Sequence, residues 1–321
     1  MVHSSHQTLD SDDDFMYYNN RPLYATEAFQ ETNRGREDDD DQNDWARYYF
    51  ADSDSDLDTN LTYCNNNHPI SVREEVEEAE RRRDDDDYFP GIIAIRPGEY
   101  SSGTGQVFPE KFTPPNSSIR PQDLFPPSLR KNTTPPVRRF ISRLNSNEML
   151  IYTDGACLGN GQANPRAGCG VVFREERPGR MGHFAFALEL QGPTGHPRPQ
   201  TSNRAELRAV IAALQFRIWP GEGWTKIVIA TDSEYVVEGA TSWIKGWVRN
   251  GWRTSRGRPV KNKDLWKCLL GWCEAAAKEK TKLEFWRIPR EWNAEADGWA
   301  KLAADEDVRP TTFIKPAGYL I

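Results

Sequence analysis

Long apolar runs are missing from this sequence: no stretch approaches the ~18 consecutive apolar residues of a membrane span, and no membrane association is expected. The opening residues, MVHSSHQTLDSDDDF, lack the apolar centre of a secretory signal and are too acidic for a transit peptide, so an intracellular location, nuclear or cytoplasmic, is expected. Cysteine is scarce. The five present (Cys64, Cys157, Cys169, Cys268, Cys273) are odd in number, show no C-x-x-C spacing and have no companion histidines. That excludes a disulfide framework and a zinc site, and leaves reduced thiols. Histidine is equally sparse: His3, His6, His68, His183 and His196 all precede the C-terminal third. None is assigned to catalysis, and His183, at a strand start, is expected to be structural.

With 37% apolar and 28% charged residues and a mean hydropathy of -0.77, the chain is too polar to fold along its whole length. Residues 1–140 hold 28 acidic against 15 basic residues, whereas 141–321 hold 20 against 26. An acidic arm thus precedes a basic domain, and the basic half is the part suited to a polyanion. The arm carries acidic runs at 12–14, 38–41 and 84–87, an Asn run at 65–67 and prolines spread through 109–136. It is expected to be disordered over 1–140. Val72 to Arg83 is its best helical candidate and Gly91 to Ile95 a candidate docking strand. The arm has two candidate partners, an unknown protein or the domain's own basic groove. In the second case, removing residues 1–140 should raise activity at low salt.

At Glu148 the texture changes. MLIYTDGAC, AGCGVVFRE and GHFAFALEL read as three antiparallel strands, and TSNRAELRAVIAALQF as a helix with Leu207, Val210, Ile211 and Leu214 on one stripe and Thr201 or Ser202 as its cap. KIVIATD (226–232) reads as a central buried strand followed by a helix from Ser233. Helices over 242–249 and 262–278, a strand over 282–288 and a helix over 293–304 complete the order βββαβααβα. The expected fold is α/β: a mixed five-stranded sheet, three antiparallel then two parallel strands, flanked by helices. It spans 145–308 and leaves a C-terminal tail over 309–321.

Four acids lie beside these elements: Asp154 in the first strand, Glu206 and Asp297 on helices, and Asp232 at the carboxyl end of the central strand. If they converge, the cluster is too electronegative to stand without cations, and hard divalent ions take oxygen ligands. The motifs Y-T-D-G-A-C-L-G-N, T-S-N-R-A-E-L, A-T-D-S-E-Y-V and E-A-D-x-x-A, in this order over about 149–304, resemble type 1 ribonuclease H, the hydrolase that cuts the RNA strand of RNA/DNA hybrids. The resemblance implies a ribonuclease H-like fold and a monomer. It carries that family's four metal-binding, catalytic acids to Asp154, Glu206, Asp232 and Asp297. It further implies two Mg²⁺ ions (or Mn²⁺), in-line attack by water, and products with 5′-phosphate and 3′-hydroxyl ends.

A second block supports the reading. Residues 243–267 hold Lys245, Arg249, Arg253, Arg256, Arg258, Lys261, Lys263 and Lys267 against Asp264 alone, interleaved with Trp243, Trp247, Trp252 and Trp266. Bases among aromatics suit a phosphate backbone, and the block is similar to the family's basic protrusion. Trp243, Trp247, Arg249, Trp252, Arg253, Arg258 and Lys261 are the substrate-binding candidates there. Asn160 and Asn203 match family positions that bind the hybrid beside the metals. One departure stands out: RIPREWNAEAD is shorter than the family's usual loop before the last acid and lacks its histidine, a short-loop version in which Arg290 and Glu291 are the nearby polar residues. Two other readings stay open, a non-catalytic nucleic-acid-binding module on this fold and a retroelement-derived ribonuclease H.

Overall fold

The computed structural model describes residues 91–94, 100, 102–178 and 180–318. The acidic and Asn runs and the 72–83 helix candidate lie outside the described residues. The five expected strands are present: β5 (Glu148–Leu158), β6 (Arg166–Val172), β7 (His183–Ala187), β8 (Lys226–Thr231) and β9 (Lys282–Arg287). β5, β6 and β7 run antiparallel; β8 lies parallel to β5, and β9 parallel to β8. α2 (Ser202–Gln215) crosses from β7 to β8, and α6 (Ala294–Asp305) follows β9. Between β8 and β9 come α3 (Glu234–Glu238), a π turn (Gly239–Trp243), α4 (Ile244–Arg249) and α5 (Lys263–Lys278). The helix opened by Ser233 therefore runs on into the one expected at 242–249, rather than stopping before it.

The sheet is larger than five strands. Three come from the supposed arm: β2 (Glu110–Lys111), β3 (Pro127–Arg130) and β4 (Val137–Ile141), with the short helix α1 (Pro121–Leu124) between β2 and β3. β2 adds to the β9 edge in parallel. β4 pairs with the start of β5 through Phe140–Leu150 and Ile141–Met149. The expectation of disorder to residue 140 is thus corrected from residue 102 onward. Composition misled because scattered prolines suit edge strands and turns as well as they suit disorder.

The reason these strands dock is the sheet's second face. One face, through Met149, Ile151, Ile227 and Ile229, packs under α2 and α5. Pleating sends the alternate residues Leu150, Val228 and Ala230 to the other side, where α6 contributes Ala296 and the extension contributes Leu124, Phe125 and Phe140. Phe125 is fully buried, and Phe112 stacks on Trp286 at 4.9 Å. A buried ion pair, Arg139 with Glu222 at 2.6 Å, locks β4 to the turn before β8.

The C-terminal residues are not a loose tail either. Arg309 donates to the carbonyls of Ala167 and Ala304, and Phe313 and Ile314 are buried. β10 (Ile314–Ala317) pairs antiparallel with β1 (Gly91–Ala94), the strand candidate in GIIAI. Arg208, fully buried, binds Glu189 at 2.7 Å and the Ile314 carbonyl at 2.8 Å. No helix among the described residues is long and apolar enough to cross a membrane.

Phe125→Ala, outside the segment expected to fold, should destabilise the protein by about 3 kcal/mol through cavity formation against Trp286. Urea unfolding followed by tryptophan fluorescence checks this, and an unchanged midpoint would show the extension to be dispensable for the core.

Candidate active site

Asp154 sits in β5 two residues beyond the Tyr152–Ala230 pair, and Asp232 follows β8 two residues beyond the same pair. Parallel register thus sets the two acids side by side at the carboxyl end of the sheet, the position where ligands sit in such folds. Gly155 brings the third acid. A Cβ at Gly155 would overlap the Glu206 amide, so glycine lets α2 rest its backbone directly on β5. α2 itself starts where expected: the Thr201 hydroxyl accepts from the Arg204 amide. Gly170, paired with Asp154 across β5 and β6, does the same for α6, because a Cβ there would overlap the Ala296 carbonyl. α6 carries Asp297 in its first turn.

The charges of the other three acids are felt at Asp154. The Asp154 carboxyl is pushed up to about 8, first by burial and then by Asp232; the Gly155 amide pulls the other way, while Glu206 and Asp297 add to the rise. Glu206 is pushed up to about 7, chiefly by burial, with Asp232 raising it further and Ser233 and Arg290 opposing. A carboxylate that holds its proton near neutrality is answering desolvation and like charge.

Three of the acids also have side-chain partners that orient them. The Ser233 hydroxyl donates to Glu206 while accepting from the Val236 amide as the α3 cap. Asn293, 1% exposed, donates from Nδ2 both to the Thr153 carbonyl at 3.1 Å and to Asp232 Oδ1 at 3.0 Å. Sequence reasoning missed Asn293 as a site residue, although NAEAD was in view, because an asparagine before a helix reads as a cap. Here it gives the helix no side-chain cap bond and ties three elements together instead. Asp297 is paired with Arg290 at 2.8 Å and Lys301 at 2.6 Å. Arg290 comes from the short loop that lacks a histidine, but a guanidinium stays charged and cannot shuttle protons.

Among the described residues no three His, Cys, Asp or Glu side chains close on a single point as a metal cage does. The pairing of both Asp297 oxygens accounts for part of this. The donor set nonetheless suits hard divalent ions, being all carboxylate.

The other candidates are more dispersed. Asn160 is exposed in the turn after β5, and Asn203 is exposed in the first turn of α2. Glu234 pairs with Arg287 at 2.9 Å. His183 is buried, its Nδ1 2.9 Å from Glu176 and its ring stacked on Trp299, a structural role as expected. In the basic block, Lys245, Arg249, Arg253, Arg256, Arg258, Lys261 and Lys263 are exposed while Trp243, Trp247 and Trp252 are half-buried. The tryptophans brace the protrusion: Trp243 packs on Trp247, and Trp247 on Trp266, which donates to the Tyr235 hydroxyl. Arg253 donates to the Gly257 carbonyl across the loop.

The raised Asp154 carboxyl has a consequence for stability. A carboxyl whose folded pKa exceeds its unfolded value binds more protons in the folded state, so stability falls as pH rises from about 4 to about 8 and then levels. In metal-free buffer Asp154→Asn should therefore be the more stable protein above pH 8, by on the order of 1–2 kcal/mol, a few degrees in Tm. The gap should narrow toward pH 5. Thermal melts across this range check it, and a constant gap would contradict it.

The model of the family described as RNase H matches residues 146–304. Ribonuclease H of Cyanothece sp. is 42% identical over 128 residues, covering 39% of this chain and 71% of that protein. Ribonuclease H of Treponema pallidum subsp. pallidum is 42% identical over 135 residues, covering 41% and 76%. Ribonuclease H of Hyphomonas neptunium is 41% identical over 159 residues, covering 49% and 91%. With the mixed sheet and the acids at its switch point already in place, these matches establish that the chain belongs to the ribonuclease H family.

Proposed function

We propose that this protein is an endonuclease that hydrolyses the RNA strand of RNA/DNA hybrids, leaving 5′-phosphate and 3′-hydroxyl ends. The observation that carries the reading is the gathering of four carboxylates at one end of the sheet: parallel register sets Asp154 beside Asp232, and the close approaches at Gly155 and Gly170 bring in the helices bearing Glu206 and Asp297. Two Mg²⁺ ions, with Mn²⁺ as an alternative, are the proposed cofactors, and these four side chains are their proposed ligands. When bound, such ions lower the pKa of water and offset charge on a leaving oxygen. The protein's own part is to hold the carboxylates ready: Asn293 fixes Asp232, Ser233 fixes Glu206, and the close β5–α2 approach at Gly155 fixes their spacing. Arg290 and Lys301 act as internal cations on Asp297. The exposed cations of residues 245–263 bind the DNA strand's phosphates, and Asn160 and Asn203 face the shallow groove where the 2′-hydroxyl distinguishes RNA. The unit that carries the activity is residues 102–318, wider than the segment matched by the family.

Asp154→Asn and Asp232→Asn keep shape and remove a negative ligand. Each should lower the rate on labelled hybrid by ~100-fold or more, since charge stabilisation dominates such chemistry. Undiminished cleavage by either would refute the assignment. With about four to six phosphate contacts, hybrid affinity should fall as roughly the fourth to fifth power of salt concentration. Arg290→Ala removes a competing cation, so half-maximal activity should need several-fold less Mg²⁺; a higher requirement in a Mg²⁺ titration would show that Arg290 supports the ions rather than standing in for one.

A further inference from the structure

The extension does more than cover the sheet. Gly103 donates its amide to the Lys267 carbonyl of α5 at 2.8 Å, and a Cβ on Gly103 would overlap the α5 backbone at Leu270 and Gly271. The next residues converge on a single carboxylate. Glu274 Oε1, also on α5, accepts from the amides of Thr104 (2.8 Å), Gly105 (2.7 Å) and Gln106 (3.1 Å) and from the Thr104 hydroxyl (3.0 Å). From there the chain crosses to α4. Gly105, at φ +82°, lies against Val248, and Lys245 stands 6.0 Å from the Phe108 ring. Within β2, which joins β9, Lys111 pairs with Glu238 of α3. A few residues thus touch every element that carries the basic protrusion.

α4 has reason to need such support. It is the last six residues of the helix that starts at Glu234, beyond the π turn that interrupts it, and helix ends fray. It also bears exposed like charges at Lys245 and Arg249.

We propose that Gly103–Phe108 is a strap that fixes the basic helix α4 against α5, and so sets how tightly the protein holds an RNA/DNA hybrid. The inference rests on the proposed function, in which the protrusion is the DNA-strand surface. Glu274 is the positioning residue, since it acts through the strap and lies outside the catalytic and binding sets. The segment precedes the region matched by the family model, so the strap belongs to this chain's own extension.

The test uses the full chain carrying Glu274→Ala, and separately Gly103→Val, which blocks seating of the strap on α5 without touching Glu274. Amide hydrogen exchange over residues 244–249 reads the position of α4. Hybrid affinity is read by fluorescence anisotropy in the Asp154→Asn background, and turnover in the otherwise unaltered protein. Both variants should speed α4 exchange by about tenfold and weaken hybrid binding by about three- to tenfold, with turnover at saturating hybrid held within about twofold. Glu274→Gln keeps an acceptor oxygen and should recover most of the loss. Unchanged α4 exchange in both variants overturns the strap, as does faster exchange with unchanged affinity when Arg249→Ala/Arg253→Ala weakens binding. If that double variant also leaves affinity unchanged, the substrate surface is wrong and the mechanical role of the strap stands.

Discussion

Gathering four carboxylates at one end of a sheet is the constraint around which this molecule is built. Each added negative charge raises the cost of the others in a partly dry site. The protein meets that cost with fixed dipoles and internal cations: the Asn293 amide on Asp232, the Ser233 hydroxyl on Glu206, and Arg290 and Lys301 on Asp297. These arrangements hold the acids close to one another instead of letting them relax apart. Close backbone approach is what makes the crowding possible. Gly155 and Gly170 let a helix from each face of the sheet touch the strands bearing and flanking Asp154.

The same economy of buried charge ties the basic protrusion to the acid cluster. Arg204, two residues from Glu206, makes a bidentate contact with Asp264 at 2.8 and 3.2 Å and reaches Asn262. Helix α2, which carries a proposed ligand, is thereby keyed to the start of α5, where the basic loop returns. Tyr235 accepts from both Asn262 and Trp266, so the aromatic stack under the protrusion joins the same network. Paired buried charges of this kind add little net stability but penalise alternative packings strongly when one partner is lost. Their role here is to fix the relative placement of site and groove.

The extension enlarges the family core. Residues 102–141 give the sheet three more strands and cover the face that α6 leaves partly bare. The apolar payload is modest, Leu124, Phe125, Phe140 and Phe112, but it lands on Trp286, Val228 and Leu150, whose exposure would otherwise leave an apolar patch.

Much of the fold was legible in the sequence because its signals are local. Alternating and continuous apolar runs gave β5 to β9, helical stripes gave α2 and α6, and the four acids stood out because each sits at a motif beside one of these elements. What the sequence could not show was non-local. The strands β2 to β4 are short and carry charged residues, and β3 opens on a proline; only docking against a sheet face made by distant residues selects their extended form. Asn293 and Glu274 look like an ordinary helix-entry residue and a surface acid until the chain closes. Their partners, Asp232 and Thr104–Gln106, lie 61 and about 170 positions away. Periodicity and residue chemistry are written along the chain, whereas which buried donor meets which acceptor is decided only when tertiary packing excludes water and leaves each polar group to find its partner within the fold.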